Sequence, residues 1–282
     1  MILLNGLKEL QMDNLSLNVG IIGAGNMGSA LAKGIAASGI LVSANMYIND
    51  VSNNKAEALA KEIGANFVPL EVLAEKSHVI IIAVKPDSII SLLENIKTNI
   101  TCCKIIVSVA AGVTINNITK IIGNDKKVIR VMPNTAALVS ESMSAICLGG
   151  TAANDDLEKV CHLFSCVGKT CLIPETKMDA AVGIAGSSPA FIFQVIEAMS
   201  DAGVRVGLSR QEAIQMSAQA VLGAAKMVLE TGYHPAQLKD MVTSPGGTTI
   251  EGVYQIEKGG VRTAFIDAIT AAVEKSKTLS KQ

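Results

Sequence analysis

Two short stretches hold most of the residues able to do chemistry. The first is Gly23-Ala24-Gly25-Asn26-Met27-Gly28, with the run Leu17-Asn18-Val19-Gly20-Ile21-Ile22 before it and a helical pattern after it. This is the GxGxxG spacing in a strand–turn–helix setting, where each glycine has its own use. Gly23 permits the tight turn, Gly25 lets a pyrophosphate approach the backbone, and Gly28 lets helix and strand pack closely. The second stretch is Ser244-Pro245-Gly246-Gly247-Thr248-Thr249, followed by a helical pattern from Ile250. A glycine-rich turn feeding a helix leaves N–H groups unpaired beside the positive end of the helix dipole, which suits a small anion such as a carboxylate. Taken alone, the same residues also suit a plain turn between helices.

Four more positions follow apolar, strand-like runs. Residues 45–49 end in Asn49-Asp50, about twenty residues past the last glycine, where an acid accepts from the adenine-ribose hydroxyls of NAD and a 2′-phosphate would prefer Arg. Asp50 equally suits an N-cap for a helix starting at Ser52 or Asn53. The run 78–84 ends in Ala83-Val84-Lys85-Pro86, with Pro86 placed to open a helix. Lys85 is expected to contribute its backbone and not a proton. The run 104–109 ends in Ala110-Ala111-Gly112, small enough for a cofactor ring to lie against the main chain, and 127–132 ends in Pro133-Asn134-Thr135. Ligands of open α/β sheets bind beyond the carboxyl ends of strands. These turns, with Asn134 among them, are therefore the candidate contacts for NADPH or NADH.

Other chemistries lack their residues. The three His (His78, His162, His234) are scattered and none stands near a nucleophile elbow. The six Cys form no CxxC pair, so neither a metal site nor a disulfide framework is expected, and reduced thiols in the cytoplasm are the default. Aromatics make up 3% and the net charge is −1, which argues against a nucleic-acid partner.

The elements that must position these groups divide the 282-residue chain in two. Strand and helix patterns alternate from 18 to 175, as in a Rossmann-type α/β domain. From 176 to 282 every pattern is helical and rich in Ala and Gly, which suits burial against a second copy. Within the first of these helices, Gly186-Ser187-Ser188-Pro189 reads either as a turn between two helices or as a kink. The window 180–199 is apolar but contains Pro189, Gln194 and Glu197, fitting a buried helix better than a membrane span. Residues 1–17 carry leucines at helical spacing. They form either a short extra helix or an overlong start with Met12 as initiator, and no targeting segment is expected.

Together these blocks resemble pyrroline-5-carboxylate reductase. The likeness runs from about Val19 to Thr278. It includes Ala83-Val84-Lys85-Pro86, Ser108-Val109-Ala110-Ala111-Gly112, Met132-Pro133-Asn134-Thr135, His234-Pro235-Ala236-Gln237-Leu238-Lys239-Asp240 and the Ser244 loop. The resemblance implies a Rossmann-type domain followed by an all-helical dimerisation domain, in some members assembled into rings of dimers. It implies hydride transfer from NAD(P)H to the C=N carbon of 1-pyrroline-5-carboxylate, giving L-proline, at a site shared between two subunits. On this likeness Ser244, Gly247 and Thr248 hold the substrate carboxylate, and Thr249 hydrogen-bonds the ring nitrogen as the catalytic group. The chain departs from the family at Ser188, where many members have Gly, at Ala136, where a Pro is usual, and at Leu70, near which an Asn is often found. It also has Asn49-Asp50 where many bacterial members have Asn-Arg. Two other readings remain: a related imine or 2-hydroxyacid reductase, with Lys226 or Lys239 as a candidate catalytic lysine, and a non-catalytic NAD(P)-binding protein.

Overall fold

The computed structural model describes residues 17–280; the leucine-spaced stretch at 1–16 lies outside them. Packing groups the chain into two units. One runs to Gly186 and takes the chain back from Ala272, and the other is Ser187–Ala271.

The first unit is built on an eight-stranded sheet. Its strands are β1 (Val19–Ile22), β2 (Met46–Asn49), β3 (Asn66–Phe67), β4 (Val79–Ile82), β5 (Ile105–Ser108), β6 (Lys127–Met132), β7 (Ser142–Gly150) and β8 (Gly168–Leu172), in the spatial order β3-β2-β1-β4-β5-β6-β7-β8. The first six are parallel, β7 is antiparallel to β6, and β8 is parallel to β7. Unbroken apolar runs such as Val79-Ile80-Ile81-Ile82, all fully buried, are what a strand covered on both faces requires. One face packs Ile21, Ile81, Val107 and Ile129 against α1 (Asn26–Ser38), α2 (Asn53–Ile63) and α6 (Asn154–Ser165). The other packs Ile80, Ile82, Ile106 and Val128 against α3 (Leu70–Lys76), α4 (Pro86–Ile96) and α5 (Ile115–Ile122). Each fully buried aliphatic side chain contributes about 1.5–3 kcal/mol, so this double cover makes the sheet a firm base for the loops at its edge. Chain order reverses direction between β1 and β4, the topological switch point of such sheets.

After β8 the chain is helical. A single helical span runs from Glu175 to Arg205, comprising a 3-10 turn (Glu175–Lys177), α7 (Met178–Ala181), a π turn (Val182–Ser187) and α8 (Ser188–Arg205). Gly186-Ser187-Ser188-Pro189 does not form a turn between two helices; the helix widens into the π turn and continues. By length and composition this span could cross a membrane, and 6% of its most apolar window is buried within the chain.

The second unit continues with α9 (Arg210–Thr231), α10 (Pro235–Met241), α11 (Thr248–Lys258) and the first part of α12 (Val261–Leu279). Ser209 and Glu212 form a capping box at the start of α9. A Cβ at Gly203 would lie 2.8 Å from that of Ala213, so α8 and α9 approach at the closeness a glycine permits. Few side chains are hidden here, whereas Phe193, Leu222, Leu229 and Tyr254 are largely exposed. The end of α12 returns to the first unit, where Asp179 Oδ1 accepts from Ser276 Oγ at 2.6 Å and Ser280 Oγ at 3.3 Å.

Candidate active site

The parallel register brings the ends of β1, β2, β4, β5 and β6 to one edge of the sheet. Backbone hydrogen bonds continue past the strands and tie the loops together. Gly23 N–H donates to Asn49 O at 2.8 Å, Ala83 N–H to Ile22 O at 2.8 Å, and Val109 N–H to Ile82 O at 3.1 Å. Gly23 has φ +108°, and a Cβ there would strike the Ala83 carbonyl; a Cβ on Gly28 would strike the Gly23 carbonyl. Both glycines are therefore demanded by the protein's own packing.

Gly25 differs. Its φ of −76° is ordinary, and a Cβ there would meet nothing within 4 Å. The fold does not need a glycine at this place, but a ligand group approaching the main chain does. Gly25 is also the N-cap of α1, which has no side-chain cap and no acidic residue in its first turn. Its leading N–H groups have no side-chain acceptor in the cap, which suits a pyrophosphate. The residues present thus fit a dinucleotide.

Both carboxylate oxygens of Asp50 are engaged within the chain. Its Oδ2 accepts from Ala24 N–H at 2.7 Å and its Oδ1 from Ser52 N–H at 2.8 Å. It is not the cap of α2; that position is Ser52. The carboxylate instead braces the glycine loop against the end of β2 across 26 residues of sequence, a contact that only the β1–β2 pairing creates. Asn49 Nδ2 donates to Val68 O at 2.9 Å, fixing the neighbouring turn. Lys85 is exposed, and its carbonyl accepts from Ser88 N–H in the first turn of α4. Ala110 is buried and Gly112 has φ +78°. Asn134 stands at the end of β6, with Oδ1 accepting from Ala136 N–H at 3.1 Å and Nδ2 donating to Ala185 O at 2.9 Å.

The hydroxyl-bearing loop lies in the second unit. Helix α11 begins at Thr248, two residues before the expected start at Ile250, because Gly247 takes the N-cap position. Thr248 and Thr249 therefore occupy the first helical turn and are exposed. Gly246 turns the chain at φ +65°, and Gly247 N–H donates to Ser244 O at 3.0 Å. A Cβ on Gly247 would strike Ser244 Oγ, so this glycine leaves the serine hydroxyl room beside the helix start. The cap has no side-chain hydrogen bond. The loop thus offers main-chain N–H groups and three hydroxyls together at a positive helix end. Among the described residues no group of His, Cys, Asp and Glu could hold a metal, and all six cysteines are free.

Comparison with known proteins places these features in a family. Residues 175–279 match the family model for pyrroline-5-carboxylate reductase dimerisation, and residues 18–112 match that for NADP oxidoreductase, coenzyme F420-dependent. The pyrroline-5-carboxylate reductase of Methanosarcina acetivorans is 46% identical over 94% of this chain and 98% of its own length. The chain belongs to the pyrroline-5-carboxylate reductase family. The Escherichia coli reductase is 43% identical over 93% of the chain and 98% of its own length. A Plasmodium falciparum pyrroline carboxylate reductase structure with NADP bound superposes with a TM-score of 0.84 at 35% identity, covering 94% of this chain and 98% of that one. As a member of this reductase family the protein is an NAD(P)H-dependent oxidoreductase acting on a C=N bond, with a Rossmann-type first domain and a helical second one.

The brace gives a prediction within this family frame. Asp50→Ala should weaken NADH binding about ten- to a hundredfold, since a hydrogen bond to a charged group contributes about 1.5–3 kcal/mol. NADPH should weaken less, because removing the carboxylate also removes repulsion from a 2′-phosphate. Dissociation constants from fluorescence titration with each cofactor check this; equal losses would limit Asp50 to bracing the loop.

Proposed function

We propose that this chain reduces the C=N bond of 1-pyrroline-5-carboxylate to give L-proline, the last step of proline synthesis. The observation that carries the reading is the presence in one chain of two complementary features. One is a glycine-lined nucleotide edge with open room at Gly25, and the other is an exposed helix start beside the hydroxyls of Ser244, Thr248 and Thr249.

Gly23-Ala24-Gly25-Asn26-Met27-Gly28, Asn49-Asp50, Ala83-Val84-Lys85-Pro86 and Ala110-Ala111-Gly112 would hold the cofactor, with Asn134 at the same edge. Bound there, NAD(P)H supplies the hydride for the C=N carbon. Ser244 Oγ and the main chain at Gly247 and Thr248 take the substrate carboxylate, with the Gly247 N–H also donating to Ser244 O. Thr249 Oγ1 bonds the ring nitrogen, orients the imine and relays a proton to that nitrogen as the amine forms. Since a protonated imine is the better electrophile, a hydroxyl placed at nitrogen favours the reactive form. Holding two reactants in register supplies most of the acceleration.

The domains divide at about 175/176, after an extension at 1–17, and the helical part joins two copies into a homodimer. In it the hydroxyl loop of one copy serves the nucleotide edge of the other. A second copy, and not lipid, covers the apolar span from Glu175 to Arg205, which carries Gln194 and Glu197. A cytoplasmic setting suits six free thiols.

The deciding experiment is steady-state oxidation of NADH and NADPH with 1-pyrroline-5-carboxylate and with a panel of 2-oxo acids. Turnover confined to the oxo acids overturns the reading in favour of a 2-hydroxyacid enzyme; cofactor binding with no turnover points to a binding protein.

A further inference from the structure

We propose that Asn134 is a positioning residue whose side-chain amide fixes the π turn at the head of the long helix, and so sets the phase with which α8 leaves it. The argument begins with backbone accounting. In an α-helix the N–H of each residue bonds the carbonyl four positions earlier. Pro189 has no N–H, so the carbonyl of Ala185, four residues before it, loses its helical donor. The chain makes two responses. It widens into the π turn Val182–Ser187, a local form that recurs where a helix has a functional constraint. And Asn134 Nδ2 donates to Ala185 O at 2.9 Å from 51 residues away, in place of the missing N–H.

The amide is held for this task. Its Oδ1 accepts from Ala136 N–H at 3.1 Å, and Asn134 N–H donates to Ser142 Oγ at 3.1 Å. The opposite amide orientation would set donor against donor at Ala136 and acceptor against acceptor at Ala185, so the observed one is the only self-consistent choice. Ser142 is buried, which anchors the arrangement in the sheet. A Cβ at Gly186 would lie 3.2 Å from Met132 Cε, so the turn and the end of β6 are packed closely as well as bonded.

The consequence is mechanical. One residue of helix corresponds to about 100° of rotation. Whether residues 182–187 adopt the wide or the ordinary form therefore decides which face α8 presents downstream. Asn134 favours the wide form by satisfying the carbonyl that the proline strands. A residue at a cofactor-facing strand end thus acts through the helix that leads into the dimerisation half.

The turnover arm of the test rests on the proposed reductase activity; the exchange arm does not. Asn134→Asp keeps the acceptor for Ala136 N–H but cannot donate to Ala185 O. It should lower kcat about ten- to a hundredfold, the scale of a small misplacement of bound reactants, beyond any change in NADPH affinity. Amide exchange across residues 182–188 should quicken. Pro189→Ala restores a helical donor, so in that background the effects of Asn134→Asp on exchange and kcat should shrink, a coupling that independent sites do not show. Should Asn134→Asp not fold, Asn134→Ala is read the same way. Weakened NADPH binding with kcat intact would make Asn134 a cofactor ligand and overturn the proposal. Additive effects with Pro189→Ala, or exchange that does not change, would also overturn it. An enzyme inactive on 1-pyrroline-5-carboxylate that still shows coupled exchange would overturn the reductase reading alone.

Discussion

Thr249→Val should lower turnover of 1-pyrroline-5-carboxylate about ten- to ten-thousand-fold while leaving cofactor affinity as it was. The substitution keeps the shape of the side chain and removes one hydroxyl. Thr249 is exposed in the first turn of α11, so no buried contact is lost, and stability should change by no more than about 0.5 kcal/mol. The hydroxyl of Ser244 and the main chain at Gly247 and Thr248, proposed to hold the carboxylate, remain, so KM should move less than kcat. The two readouts separate the roles. A loss in kcat with an unchanged cofactor dissociation constant assigns the hydroxyl to the imine nitrogen. A loss of cofactor binding would mean that the loop serves the nucleotide and that the substrate carboxylate is held elsewhere. Single-turnover reduction followed by cofactor absorbance distinguishes these, because it reports the hydride step apart from product release.

The sheet and its edge were legible because their signals are local. The buried strands read as unbroken apolar runs, and the turns that matter directly follow them. The GxGxxG stretch carries its own context within a few residues on either side. For a related reason the sequence pattern places the start of α11 two residues late. Apolar periodicity begins at Ile250, but a helix begins where its N-cap stands, and Thr248 and Thr249 have no part in the apolar pattern. What sequence reading missed depends on partners far along the chain. Asp50 meets Ala24 only because β1 and β2 lie side by side. Asn134 meets Ala185 only because the helical span returns past the end of β6. One half of that second contact was nonetheless visible: a proline inside a helical pattern names the carbonyl it strands, here that of Ala185, without naming the donor. Similarly, periodicity places the change from strand to helix near residue 175. That the end of α12 packs with the first unit, through Ser276 and Asp179, leaves no periodic trace.

A single charge on α9 should divide the protein into inactive monomers. Ile214, Ala218, Leu222, Ala225 and Leu229 fall within an arc of about 80° on this helix, at 100° per residue. Gln215, Gln219, Lys226 and Glu230 stand beside them, with Lys226 and Glu230 paired at 3.5 Å. The side chains of Ile214, Leu222 and Leu229 are 48%, 56% and 79% exposed in the single chain, an apolar stripe of the kind a helix normally hides. A two-fold interface uses each residue twice, so Leu222→Asp removes two leucines from cover. At about 1.5–3 kcal/mol each, that raises the dimer dissociation constant about a hundred- to ten-thousand-fold, before the cost of placing two carboxylates there. The variant should sediment as a monomer with its helical circular dichroism intact, since Leu222 is already exposed within one chain. Its reductase activity should be lost at dilute protein and return as concentration rises, because the hydroxyl loop of one copy is proposed to serve the nucleotide edge of the other. A fully active monomer would place the whole site in a single chain. A variant that remains dimeric would move the interface off this stripe, to the exposed faces of α8 and α11 that carry Phe193 and Tyr254. Cofactor titration completes the argument: the monomer should bind NADPH as the dimer does, since every residue at the nucleotide edge lies in the first unit, and lose only the reaction.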